Sequence, residues 1–332
     1  MAWACGGDEK GNIYPTPSGP GSKEEPRATE TIKAMPSETA PIVPTRDTQP
    51  PPPAPTATPS PEVKPSLPQP TATPEVRRDL AMFNFGEDVP ENLRAEIING
   101  ANIGLEWILN KTGVNLAGLN VHAYGSLDRV VQEYYGRRVN DSRTLDQIRT
   151  AHAGSTAFAG DAKNFYVITS SPGWTTASPI PGGPVVEGRY HTIFHELYHS
   201  LQWQVNGYAG PPPVGWLNEG GAHYIAARAL DENTIGGKKI FPFDDIKARH
   251  LRQAVSSRSS LQGMEAAFNG DYSLAFMALD LLLRDKPDGG VGGLTTYWKE
   301  IGKGSGPDAA FLIAFGIPKS EFYIRSQNTV DY

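Results

Sequence analysis

The residues most able to do chemistry stand close together in R-Y-H-T-I-F-H-E-L-Y-H-S-L-Q-W, which contains His195-Glu196-x-x-His199. On a helix, a four-residue spacing puts both imidazoles on one face, about 6 Å apart. Two ring nitrogens can then share one ion. A catalytic Zn²⁺ needs three protein ligands and an open position for water, and Glu196, beside the first ligand, is placed to take a proton from that water. The pattern alone is weak, since it arises by chance in about one per cent of chains this long. A second feature strengthens it. In P-V-G-W-L-N-E-G-G-A-H-Y, Glu219 follows His199 by 19 intervening residues, on a second expected helix beyond a proline turn at residues 211–213. A helix that folds back there brings the carboxylate to the same ion. The only cysteine is Cys5, so ligands must come from histidines and carboxylates.

His-Glu-x-x-His followed by Trp-Leu-Asn-Glu-Gly resembles the gluzincin peptidases, the group of thermolysin and the alanyl-type aminopeptidases, and especially their peptidase MA-like relatives. The motif similarity covers residues 189–224. A weaker similarity continues at Tyr272 and in A-F-L-I-A-F-G-I-P-K-S-E-F, residues 310–322. The resemblance implies a zincin-like fold, His195, His199 and Glu219 as zinc ligands, and Glu196 as base and proton shuttle. It also implies Tyr272 as the group that stabilises the oxyanion, against an ordinary core tyrosine. Asn218, inside the motif, joins His223 and His191 as candidates to contact the ligands or the substrate.

The sequence departs from the family at His223, where an acidic residue usually bonds a ligand imidazole. A neutral imidazole can still accept such a bond, and the competing expectation is a plain surface histidine. The Gly-x-Met-Glu-Asn signature that holds a substrate amine is missing upstream. Gly263-Met264-Glu265-Ala266 lies downstream in the wrong order, so exopeptidase specificity has no support. Tyr198 and Trp203 fall on other faces of the ligand helix and read as core.

The elements that must position these residues follow from periodicity. The ligand helix is expected from Gly188 or Arg189 to Asn206, ending at Gly207, and the Glu219 helix from about Trp216 to Leu230. Upstream, apolar spacing predicts a helix from Glu91 to Asn110, weakened by Gly100 and Gly104. A strand at Leu119–Tyr124, a helix at Leu127–Tyr135 and a strand at Asn164–Thr169 follow. The strand around Val167 is the expected sheet edge for an extended peptide, the alternative being an ordinary interior strand. Residues Ser171–Gly188, rich in Pro and Gly, read as a loop. Further helices are expected at 244–256, 271–284 and 307–315, with Gly236-Gly237 and Gly289–Gly293 as turns rather than phosphate cradles. The fold class is α+β: a small mixed sheet, then a mainly helical C-terminal half.

Composition sets the outer bounds. More than half of the 30 prolines fall before residue 78, where the only aromatic residues are Trp3 and Tyr14. Such a segment buries too little apolar surface to offset the entropy of ordering it. Residues 1–79 therefore read as a disordered tether, and residues 80–332 as one globular domain. The formal charge of -6 gives no support to a nucleic-acid partner. No 18-residue apolar run exists, so no membrane-spanning helix is expected. Cys5, in M-A-W-A-C-G-G-D, resembles a lipoprotein cleavage site without the charged and apolar regions that precede one. The expectation is a lipid-anchored cell-surface protein whose true start lies upstream, or a cytoplasmic one if the short N-terminus is genuine. The activity expected is zinc-dependent hydrolysis of a peptide or protein. The alternatives are hydrolysis of a nonpeptide amide or ester, and a noncatalytic zinc or ligand-binding surface module, which would have no need of Glu196.

Overall fold

A computed structural model describes residues 80–116, 118–138, 141–207 and 214–328. The expected tether at 1–79, Cys5 within it and the prolines at 211–213 lie outside the described residues.

The chain opens with β1 (Ala81–Phe85), α1 (Glu91–Thr112), β2 (Leu119–Tyr124), α2 (Leu127–Arg137), α3 (Leu145–Ala151), β3 (Ala157–Ala159) and β4 (Asn164–Ile168). The four strands form one sheet in the order β1-β2-β4-β3, in which β3 alone runs antiparallel to its neighbour. Strand alternation sorts its two faces. Val121, Ala123, Phe165 and Val167 enter the main core beside α1. On the other face Tyr166, Phe158 and Ile168 pack with Val130, Tyr134 and Ile148 from α2 and α3. His152 stacks on Phe158 there, at 3.8 Å between centroids.

A single turn, α4 (Pro172–Thr175), leads to the ligand helix α5 (Val185–Val205), and then to α6 (Gly215–Glu232). A short hairpin, β5 (Thr234–Ile235) and β6 (Lys238–Lys239), precedes α7 (Phe243–Ala254), α8 (Tyr272–Leu283), α9 (Val291–Gly302), α10 (Pro307–Phe315) and α11 (Lys319–Asn328). The architecture is thus a small mixed sheet followed by a helical half, as the sequence suggests. Its centre is α5, buried along most of its length between α1, α6 and α9.

Several sequence expectations need correcting. The stretch 171–188 is not all loop: it contains α4, and α5 begins at Val185 with Pro184 as its cap. Proline marks a break in sequence, yet it also suits the start of a helix. Gly289 and Gly290 do turn, with φ of 61° and 77°, but Gly292 and Gly293 lie inside α9. Gly293 sits so near Phe315 that a Cβ would meet its ring at 3.2 Å, so a small residue serves the α9–α10 contact. The strand around Val167 is interior, and the free edge on that side is β3. β1, α3, β3, β5, β6, α9 and α11 go beyond the elements that the sequence suggests.

Gly100 and Gly104 weaken α1 as a helix but bring it close to α5. A Cβ on Gly100 would lie 2.7 Å from Ile193 Cδ1, and one on Gly104 would lie 2.5 Å from Leu197 Cδ1. Gly104→Ala should therefore destabilise the protein by about 1–3 kcal/mol through overpacking, even though alanine favours a helix by about 1 kcal/mol. A rise in the denaturation midpoint would refute that reading.

Burial pushes both His152 and His250 down to about 3, so each stays neutral in the folded protein at mild acidity. Unfolded, each takes up a proton near 6.5, so the unfolded state binds more protons below that pH. Stability should be full above about 6.5 and decline toward about 3, by about 1.4 kcal/mol per pH unit for each histidine. In urea titrations across this window, His152→Phe should flatten the decline by one proton, and an unchanged slope would refute the assignment.

Candidate metal centre

The sequence of α5 places His195 and His199 one turn apart, and the structure holds that face against α6. Arg189 fixes the start of α5, its Nε donating to the Trp174 carbonyl at 2.8 Å and its Nη1 pairing with Glu96 of α1 at 2.6 Å. α6 carries Glu219, and the adjacent Gly220 lets it approach α8, where a Cβ would meet Ala275 Cβ at 2.8 Å.

The three expected ligands come together. His195 Nε2 and His199 Nε2 are 3.0 Å apart. Glu219 Oε2 lies 3.5 Å from His195 Nε2, and its Oε1 lies 3.6 Å from His199 Nε2. Three ligands placed tetrahedrally at about 2.0–2.1 Å from one ion would stand about 3.3 Å apart, so the donor set fits a single tetrahedral cation. Among the described residues no other group of three histidine, cysteine or acidic side chains converges in this way.

The charges agree with that geometry. Burial alone would raise the Glu219 carboxyl, but the His199 and His195 imidazoles reverse the effect and hold it at about 2. Burial would likewise lower His199, yet the Glu219 charge holds it up at about 9. Without an ion, the site is an ion pair of His199 and Glu219, and a cation would take the place of the imidazolium proton.

Glu196 is buried beside the ligands. Its Oε2 accepts from the Ala159 N–H of β3 at 2.8 Å, while its Oε1 has no hydrogen-bond partner among the described residues. One carboxylate oxygen is thus fixed and the other is free to accept a proton.

The remaining candidates fall nearby. Tyr272, at the first turn of α8, lies 6.4 Å from His195 and 4.3 Å from His223 between ring centroids. Asn218 donates from Nδ2 to Glu219 Oε1 at 2.9 Å. His223 is not a surface histidine: it is buried, with its ring edge-on to His195 at 4.8 Å. Nor does it support a ligand imidazole at Nδ1, because Nδ1 of His195 lacks a hydrogen-bond partner among the described residues and Nδ1 of His199 meets Gln202. His191 is fully buried and 4.7 Å from His223 between centroids. Together with His250, it extends the site into a buried tier of imidazoles. Burial, with help from neighbouring imidazoles at His191 and His223, lowers all three, so the tier is neutral. Tyr198 is core, as expected, and Trp203 is only half-buried.

Three contributors escaped the sequence reading. His250, far from the motif, joins through α7. Ala159 contributes through its backbone, which no side-chain pattern reveals. Gln202, whose Oε1 lies 2.7 Å from His199 Nδ1, sits three residues beyond a ligand, a helical spacing that could have flagged it.

A ligand imidazole must lose its proton to bind a metal. Because His199 titrates at about 9, it is charged at pH 7, and each ion bound there should release about one proton. Affinity should accordingly fall about tenfold per pH unit below about 9. Calorimetric titration in buffers of different ionisation enthalpy reads the proton count, and a count near zero would contradict the assignment of His199. No protein-family model matches the chain, and no curated protein or solved structure matches it, so the functional reading rests on this geometry.

Proposed function

We propose that this protein is a zinc-dependent peptidase of the gluzincin type with a zincin-like fold. The observation that carries the reading is the convergence of His195, His199 and Glu219 at 3.0–3.6 Å with Glu196 alongside. Two imidazoles and one carboxylate are a donor set suited to zinc, and three protein ligands leave a fourth position for water. Zinc bound there would lower the pKa of a water to about 7 and polarise the carbonyl under attack.

The residues supply the rest. Glu196 Oε1 accepts the proton of the attacking water, and the bond from Ala159 to Oε2 keeps the carboxylate aimed at it. The same carboxyl then hands that proton to the departing amine nitrogen. Tyr272 is the reading for the group that donates to the developing oxyanion. β3, the free edge beside Glu196, is the strand on which an extended peptide would lie. The Cys5 lipid anchor and cell-surface location belong to the same reading, in which a membrane contributes only through that anchor.

Zinc content and cleavage of a broad peptide library should be measured together for the native chain and for Glu196→Gln. Both should hold one zinc per chain, and the variant should lose about 10²–10⁴-fold in hydrolysis. A native protein that binds one zinc yet cleaves nothing would overturn the peptidase reading.

A further inference from the structure

We propose that Gln202 is a positioning residue for the metal centre: its side-chain amide fixes the tautomer and ring angle of His199 and ties that ligand to the helix that carries Glu219. The inference rests on the metal reading above and extends it to a residue outside the ligand motif.

Gln202 lies one turn after His199 on α5 and is 2 % exposed, so its amide must find its partners inside the protein. Its Nε2 faces the main-chain oxygen of Asn218 on α6 at 3.5 Å. That oxygen only accepts, which identifies the atom facing it as the amide nitrogen and turns Oε1 toward His199. The Tyr198 hydroxyl lies against the same amide and accepts from Trp298 Nε1 at 2.9 Å, which anchors the arrangement in α9.

Oε1 also only accepts, so the group it meets at 2.7 Å is His199 Nδ1–H. A neutral imidazole protonated on Nδ1 carries its lone pair on Nε2, the atom that faces His195 and Glu219. The wrong tautomer would put a hydrogen where the ion must go. Gln202 excludes it. The contrast with His195 is informative, since no side chain bonds its Nδ1 among the described residues. His199 is therefore the imidazole whose orientation is set by a hydrogen bond, and through Asn218 the same amide sets its register against Glu219.

The test uses the full chain, Zn²⁺ alone as probe, and two substitutions. Gln202→Met keeps the volume but removes the acceptor, and Gln202→Glu keeps the acceptor. Gln202→Met should weaken zinc binding about 10–100-fold, while Gln202→Glu, which keeps the acceptor for His199 but loses the donor to Asn218, should bind zinc at least about threefold more tightly than Gln202→Met. Nitrogen-15 spectra of the zinc-bound native protein should report His199 as the Nδ1–H form, and this reading stands even if Gln202→Met does not fold. Undiminished zinc binding by Gln202→Met, a Gln202→Glu chain as weak as Gln202→Met, or an Nε2–H form of His199 would each overturn the role of Gln202. A native chain that binds no zinc would instead overturn the metal reading itself, and Gln202 with it.

Discussion

The structure depends on bringing the carboxylate of α6 against two imidazoles of α5, where the protein shields most of their surface from solvent. Burying Glu219 and His199 is unfavourable for each alone, and only their proximity reverses the sign of both effects. An ion pair of this kind is poor evidence for stability, because well-packed apolar side chains would often serve as well. Its presence makes sense as a binding site whose ligands are already gathered, with distances that suit a small divalent cation.

Everything around that pair acts to hold two helices at a fixed separation. α1 comes close to α5 through Gly100 and Gly104, and α6 comes close to α8 through Gly220. On its far side α5 meets α9, where Trp298 donates to Tyr198. The C-terminal helices close over α6, with Trp216 stacked on Phe322 and its Nε1 donating to Tyr323. Close-packed interiors transmit small displacements, so a shift of α1 or α9 reaches the ligands through α5.

Among the described residues, the imidazoles packed behind the ligand set are uncharged. His223 stands beside His195, and behind it His191 and His250 are buried and neutral. Glu219 faces both ligand imidazoles, and Glu196 is buried on the same helix as they are. The supporting hydrogen bonds come from uncharged groups: Gln202 for His199, Asn218 for Glu219 and the Ala159 backbone for Glu196. Uncharged donors and acceptors orient these groups without adding to the net charge that an incoming cation must balance.

By itself the sequence determined the parts of this protein that depend on local spacing. His195 and His199 fall on one helical face because their separation is close to one turn, and Glu219 lies on a separate helix that ends well before α7. The elements α1, β2, α2, β4, α6, α7, α8 and α10 were also legible from local sequence. What only the tertiary structure decided is what meets across long stretches of chain. β3 is three residues long and owes its existence to pairing with β4. His223 is buried because α8 closes over it, which no window around residue 223 reveals. The role of Gly100 and Gly104 was misleading locally, since propensity registers their cost within α1 and not the approach to α5 that they permit. Hydrogen bonds from Ala159 to Glu196 and from His199 to Gln202 depend on orientation, and the folded core is what sets orientation.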